Sequence, residues 1–313
     1  MPDLNITVSD FSGVYGTLNA RNQLDVTKEQ ALHAAITVGT PLFTLGTASA
    51  RHALTMAAYK AVAVKASIDF SGTNLSIFDD YRRLDPSEKV NLSYWIGMVF
   101  TALLAKELLG VKQLLHAACF EQQPIVRTNP LSKSLADLVG RESNGGWHVL
   151  EAKGRQNKLS PSGRVDCKNQ AKTIGLIGGH TPLTRSYCVA LVKRTLSVEL
   201  VDPEGEKGTY DIVFQRSGED PELLEAYYGS LRDVLAQSSF DVLRGELSFI
   251  LTRIAFDAVD QTHVVVGMES NCYNGIKGNK LPDGIRPVKG SDFYLGADGI
   301  VTLTSAKCDP TSN

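Results

Sequence analysis

Residues 85–110 (DPSEKVNLSYWIGMVFTALLAKELLG) constrain the fold more than any other stretch of the chain. Asp85 stands as a helix N-cap, Pro86 suits the first helical position, and Glu88 completes a capping box. Leu92, Trp95, Ile96, Val99, Phe100, Leu103, Leu104 and Leu108 then recur at helical spacing, and Gly110 ends the run. The apolar stripe is wide, so this helix is expected to be buried on more than one side, with Tyr94 and Trp95 in the core. Hydrophobic residues make up 43% of the chain, enough to build that core and to exclude a wholly disordered protein. The longest uncharged apolar stretch, Leu92 to Ala105, is shorter than the ~18–20 residues of a membrane span. The start of the chain (MPDLNITVSD) shows no signal-peptide pattern. The five cysteines form no CxxC pair, which fits reduced thiols. A cytoplasmic protein without a membrane partner is the expectation.

Elsewhere the reading is coarser. Residues 5–45 read as short strands and the Ala-rich 47–66 as a helix. A loop is expected between Glu121 and Lys133. Residues 135–141 and 147–153 form two β-type runs around the turn signal Ser143-Asn144-Gly145-Gly146. Asp166 is expected to cap a short basic helix reaching about Ile177, followed by a strand at 186–193. Residues 196–214 suggest a β-hairpin, 220–258 two helices, and 262–304 further strands with a hairpin tip at Ala297-Asp298-Gly299.

A net charge of −2 over 313 residues argues against a constitutive polyanion binder, but the charge is unevenly spread. Residues 1–130 are neutral overall, 131–195 carry 11 basic against 4 acidic residues (net +7), and 196–313 carry net −9. The positive block holds LADLVGRESNGGWHVLEAKGR. Strand residues two apart share a face, so Glu151 and Lys153 project together and Ala152 and His148 face away. A three-residue loop at Asn144–Gly146 would pair Asp137 with Lys153 and bring all three charges to one face. A two-residue loop would turn Asp137 away. Two carboxylates and an amine on one face suit Mg²⁺ chemistry, in which the cation is held by one or two carboxylates and keeps several waters. The competing reading is a cross-strand salt-bridge ladder on a solvated face.

Asp137, Glu151 and Lys153, at this hairpin spacing, resemble the motif of the PD-(D/E)XK nuclease superfamily. Ala136 stands where that family often has proline. The string DLVG…WHVLEAKGR also looks like a group of bacterial proteins of unassigned role. The resemblance covers roughly residues 85–195 and implies a restriction-endonuclease-like core: a helix, three strands, a helix and another strand. It implies an α/β fold, with an N-terminal α/β extension at 1–84 and an acidic C-terminal α+β region at 196–313. It further implies Mg²⁺- or Mn²⁺-dependent hydrolysis of nucleic acid, with DNA the expected substrate and Asp137, Glu151 and Lys153 catalytic. Gln170, on the helix after the lysine strand, matches a glutamine that touches the site in some branches. Glu88 matches an extra metal ligand of others, although a capping role accounts for it as well. Arg155, Lys158, Arg164, Lys168 and Lys172 form the expected phosphate-contacting set. A homodimer, and a protein partner on the acidic region, are further expectations. So is a place in defence against foreign DNA or in repair.

Overall fold

The computed structural model describes residues 1–38, 50–117, 125–127, 134–177, 179–202, 221–257 and 262–305. The chain begins with β1 (Asp3–Ser9) and β2 (Gln23–Asp25), then α1 (Lys28–Thr37) and α2 (Ala50–Ser67). A two-strand ribbon, β3 (Ile68–Asp69) with β4 (Ser76–Ile77), leads to α3 (Pro86–Leu109). Next come β5 (Val111–His116), β6 (Ile125–Arg127), β7 (Leu138–Glu142), β8 (Trp147–Arg155), α4 (Pro161–Ala171), β9 (Ile174–Ile177), β10 (Thr184–Leu191) and β11 (Ser197–Val201). The C-terminal part holds α5 (Pro221–Gln237), the hairpin β12 (Phe240–Arg244) and β13 (Leu247–Asp257), β14 (Thr262–Glu269), and α6 (Ser270–Lys277). It closes with β15 (Val288–Lys289), β16 (Phe293–Leu295) and β17 (Ile300–Ser305).

The architecture is α/β. A mixed seven-stranded sheet runs β2-β1-β11-β10-β8-β7-β5, and an antiparallel sheet runs β12-β13-β14-β17-β16-β15. In the first sheet β8 is parallel to β10 and β1 to β11, and the other pairings are antiparallel.

α3 forms as its sequence predicts. Asp85 accepts from the Ser87 N–H and Glu88 returns to the Asp85 N–H, while Gly110 caps the far end at φ 67°, a left-handed conformation that suits glycine. By length and composition α3 could cross a bilayer, but 67% of its apolar window is buried inside the protein. Ile96, Val99, Phe100, Leu103 and Leu104 pack with Leu138, Leu150, Ala152 and Ala190 of the sheet in one cluster. The opposite sheet face packs Val139, Trp147 and Val149 against Ile174, Leu224 and Tyr228, and Cys167 and Ala171 of α4 against Tyr187 and Val189. The second sheet joins this core through Val264, Val266 and Met268.

Several expectations are corrected. Residues 28–37 are a helix, because Thr27 and Gln30 form a capping box ahead of an alanine-rich run. The helix after β8 starts at Ser160, whose hydroxyl accepts from the Gly163 N–H, so Asp166 lies inside α4 and residues 174–177 are a strand. The second helix expected within 220–258 is the β12–β13 hairpin. Its two-residue turn begins at Gly245 (φ 63°), and aromatic and β-branched residues alternate along it, with Phe249 and Leu251 facing a buried cluster. Tyr94 is exposed rather than buried. The central sheet also outgrows the 85–195 segment, because strand pairing joins residues far apart in sequence: β1 from the first segment pairs with β11 from the last. Most of the expected 196–214 hairpin and of the 121–133 loop lies outside the described residues, as do Cys119 and Cys308. Cys167, Cys188 and Cys272 are free and buried.

Candidate active site

The β7–β8 hairpin turns through a three-residue loop, Ser143 to Gly145. The Glu142 N–H donates to the Gly146 carbonyl at 2.9 Å, and the Asn144 side chain accepts from the Gly146 N–H at 3.0 Å. Gly145 sits at φ 90°, where a side chain would be strained. The loop is odd-numbered, as the convergence of the three charges requires, but begins one residue earlier than expected. Leu138 pairs with Leu150, so the next step places Asp137 opposite Glu151 rather than Lys153. Because the shift from the expected register is two positions on the partner strand, the face is preserved.

Side chains and backbone then interlock. The Asp137 N–H donates to Glu151 Oε2 at 3.2 Å, and the Ala152 N–H donates to Asp137 Oδ2 at 2.9 Å. Lys153 Nζ donates to Glu151 Oε1 in a close ion pair. Glu151 is buried, its side chain 1% exposed, whereas Lys153 is 24% exposed and reaches the surface. Burial pushes the Glu151 carboxyl up to about 7, Asp137 adds to this, and Lys153 opposes it. Burial pulls Lys153 down, but Glu151 and Asp137 outweigh it and hold the ammonium above its usual range. The site therefore sets a charged lysine against a carboxyl that burial holds above its usual range. His148 lies on the opposite face, buried, with Nδ1 2.9 Å from Thr184 Oγ1.

Asp137 and Lys153 open onto a cleft of about 800 Å³ between the start of α3 and the segment joining β8 to α4. Arg155 and Lys158, of the expected phosphate-contacting set, line it, joined by Lys89 and Tyr94 of α3. Sequence reasoning missed both. The available signal was helical spacing: Pro86, Lys89, Val90, Ser93 and Tyr94 lie along one flank of α3, off the apolar stripe, and all five line the cleft.

The other expected residues lie elsewhere. Arg164 forms a close ion pair with Glu199 of β11. Lys168 and Lys172 sit at the far end of α4, and neither lines the cleft. Gln170 is half-buried on α4 and does not line the cleft either, and its carbonyl accepts from the Thr173 N–H and hydroxyl. Glu88 is exposed, serves the capping box, and is not among the residues lining the cleft.

Among the described residues, no group of three or more His, Cys, Asp or Glu gathers as metal ligands. A hard divalent cation needs only one or two carboxylates when water completes its shell, so Asp137 and Glu151 fit Mg²⁺ or Mn²⁺ as a donor pair. No protein-family model, curated protein or solved structure matches this chain.

Proposed function

We propose that this chain is a metal-dependent nuclease that hydrolyses phosphodiester bonds in nucleic acid, with DNA as the first substrate to test. The observation that carries the reading is the convergence of Asp137, Glu151 and Lys153 on one face, with Asp137 and Lys153 at the wall of a cleft also lined by Lys89, Arg155 and Lys158 and Glu151 buried behind them. The run α3–β5–β7–β8–α4–β10, with the short β6 and β9 pairing apart from the main sheet, supports it further. Its order parallels the helix, three strands, helix and strand of the PD-(D/E)XK core.

Each residue has a defined task. Lys89, Arg155 and Lys158 hold backbone phosphates without reading sequence. Asp137 and Glu151 would hold Mg²⁺ or Mn²⁺, which when bound would supply an activated water and offset charge at the phosphate. Lys153, kept protonated by its two carboxylate neighbours, neutralises charge developing on the scissile phosphate. Asp137 keeps its orientation through the Ala152 N–H.

A panel of DNA and RNA substrates incubated with the purified protein and Mg²⁺ or Mn²⁺ tests this. Cleavage that disappears in D137A, E151A and K153A is expected, and full activity in any of these variants would sink the assignment. A second reading is a binding module on a nuclease-like fold, active only with a partner. It is favoured by the ion pair that engages Glu151 with Lys153. Absence of measurable Mn²⁺ binding would select that reading. Dimerisation, and a partner on the acidic C-terminal region, belong to the same proposal; sedimentation with and without DNA tests the dimer.

A further inference from the structure

Tyr94 is 41% exposed on the wall of the cleft that also holds Asp137 and Lys153. Its ring stands edge-on to Trp95, with centroids 5.0 Å apart and planes at 66°, and Trp95 is edge-on to Tyr59 of α2 at 6.5 Å. The helix under it is fixed in register. Gly97 of α3 and Gly154 of β8 meet backbone to backbone, and a Cβ on Gly154 would fall 1.6 Å from the carbonyl oxygen of Ser93, the residue before Tyr94. A partly exposed aromatic ring is thus held in place on the wall of a cleft that four cations, Lys89, Lys153, Arg155 and Lys158, also line, together with Gln156 and Asn157.

The face of such a ring binds another π-system well, and every nucleobase has one. A base inside a duplex offers only its edge, because both of its faces are stacked on neighbours; only an unpaired base can lie on Tyr94. The cleft's volume of about 800 Å³ also falls in the range of pockets that enclose single small ligands. We propose that Tyr94 is a stacking platform for one unpaired base, which makes single-stranded nucleic acid, at ends or in loops, the substrate class of this site. The neighbouring phosphates then fall to Lys89, Arg155 and Lys158. The inference rests on the nuclease reading for the placement of the scissile phosphate but not for the placement of the base.

The test is equilibrium binding without divalent cation, using a short DNA strand that carries a stacking-sensitive fluorescent adenine analogue, alone or annealed to its complement. Wild type is expected to bind the single strand about 10-fold more tightly than the duplex and to change the analogue's fluorescence. Tyr94→Leu is expected to lose about 10-fold in single-strand affinity. Its duplex affinity and melting temperature should match wild type, while Tyr94→Phe and Tyr94→Trp keep single-strand binding. Wild-type single-strand affinity in Tyr94→Leu, a preference for duplex, or no binding by wild type would each overturn the inference. Tyr94-dependent binding without cleavage in Mg²⁺ or Mn²⁺ would remove the nuclease reading and leave the platform standing.

Discussion

The backbone N–H of Asp137 donates to Oε2 of Glu151, while the Asp137 carboxylate accepts from the N–H of Ala152, the next residue along β8. Each acid is thus oriented by the other's strand. The geometry exists only in the register the three-residue loop selects, so lengthening that loop by one residue should turn Asp137 away. Such an insertion is expected to abolish Mn²⁺ binding by calorimetry while the far-ultraviolet spectrum stays native.

The Glu151 carboxyl, raised by burial from 4.5 to about 7, should leave a mark on stability. Its folded form holds a proton that the unfolded chain has already released, so this group's contribution falls as pH rises from about 4.5 to 7 and is flat above. E151Q, which cannot ionise, is therefore expected to lose this pH dependence, so that its stability relative to wild type improves as pH rises from about 4.5 to 7. Urea melts across that range check it; a gain independent of pH would refute the origin in ionisation. Mn²⁺, which needs the ionised carboxylate, should bind wild type more tightly at pH 8 than at pH 6.

Beneath α3, Asp298 Oδ2 gathers Lys106 Nζ at 2.7 Å, the Tyr227 hydroxyl at 2.7 Å and His33 Nε2 at 3.1 Å. Burial alone would raise the Asp298 carboxyl, but Lys106 and His33 outweigh it and hold it well below the usual carboxylate range. Its stabilising contribution is present above the unfolded carboxylate value and fades as pH falls below it. Burial likewise keeps His33 below its ordinary value despite Asp298, which adds to acid sensitivity. D298A, leaving the largely enclosed Lys106 ammonium without its carboxylate, is expected to cost about 3 kcal/mol, and D298N/K106M to recover much of that. Equal losses in the single and double variants would refute the pairing argument.

The Gly97–Gly154 contact fixes how near α3 comes to the lysine strand. G154A is expected to destabilise by about 3 kcal/mol or more, because its Cβ would strike backbone that cannot yield, whereas G163A should be tolerated. Thermal melts of the two variants discriminate.

Nucleic-acid affinity should follow the cleft and not the basic helix. K89A, R155A and K158A are each expected to lower the salt slope of binding by about 1. R164A, whose guanidinium is committed to Glu199, should leave the slope unchanged. An equal loss in R164A would move the interface onto α4.

Features set by neighbouring residues were legible without a structure. The capping box at Asp85–Glu88, the glycine stop at 110, the alternation that puts Glu151 and Lys153 on one face, and the turn at Ala297–Gly299 all depend on local geometry. Asp137 was legible as a candidate, but its partner was not, because loop register depends on which of several turn conformations packs best. Tertiary structure alone decided the rest. β1 and β11 meet in one sheet although they lie far apart in the chain, and Asp298 reaches Lys106 across most of its length. Lys89 and Tyr94 join the cleft because two glycines let a helix and a strand touch, whereas Arg164 is drawn off by an acid on another strand. Periodicity specifies the face a side chain takes; what it meets there depends on long-range packing, which no local pattern encodes.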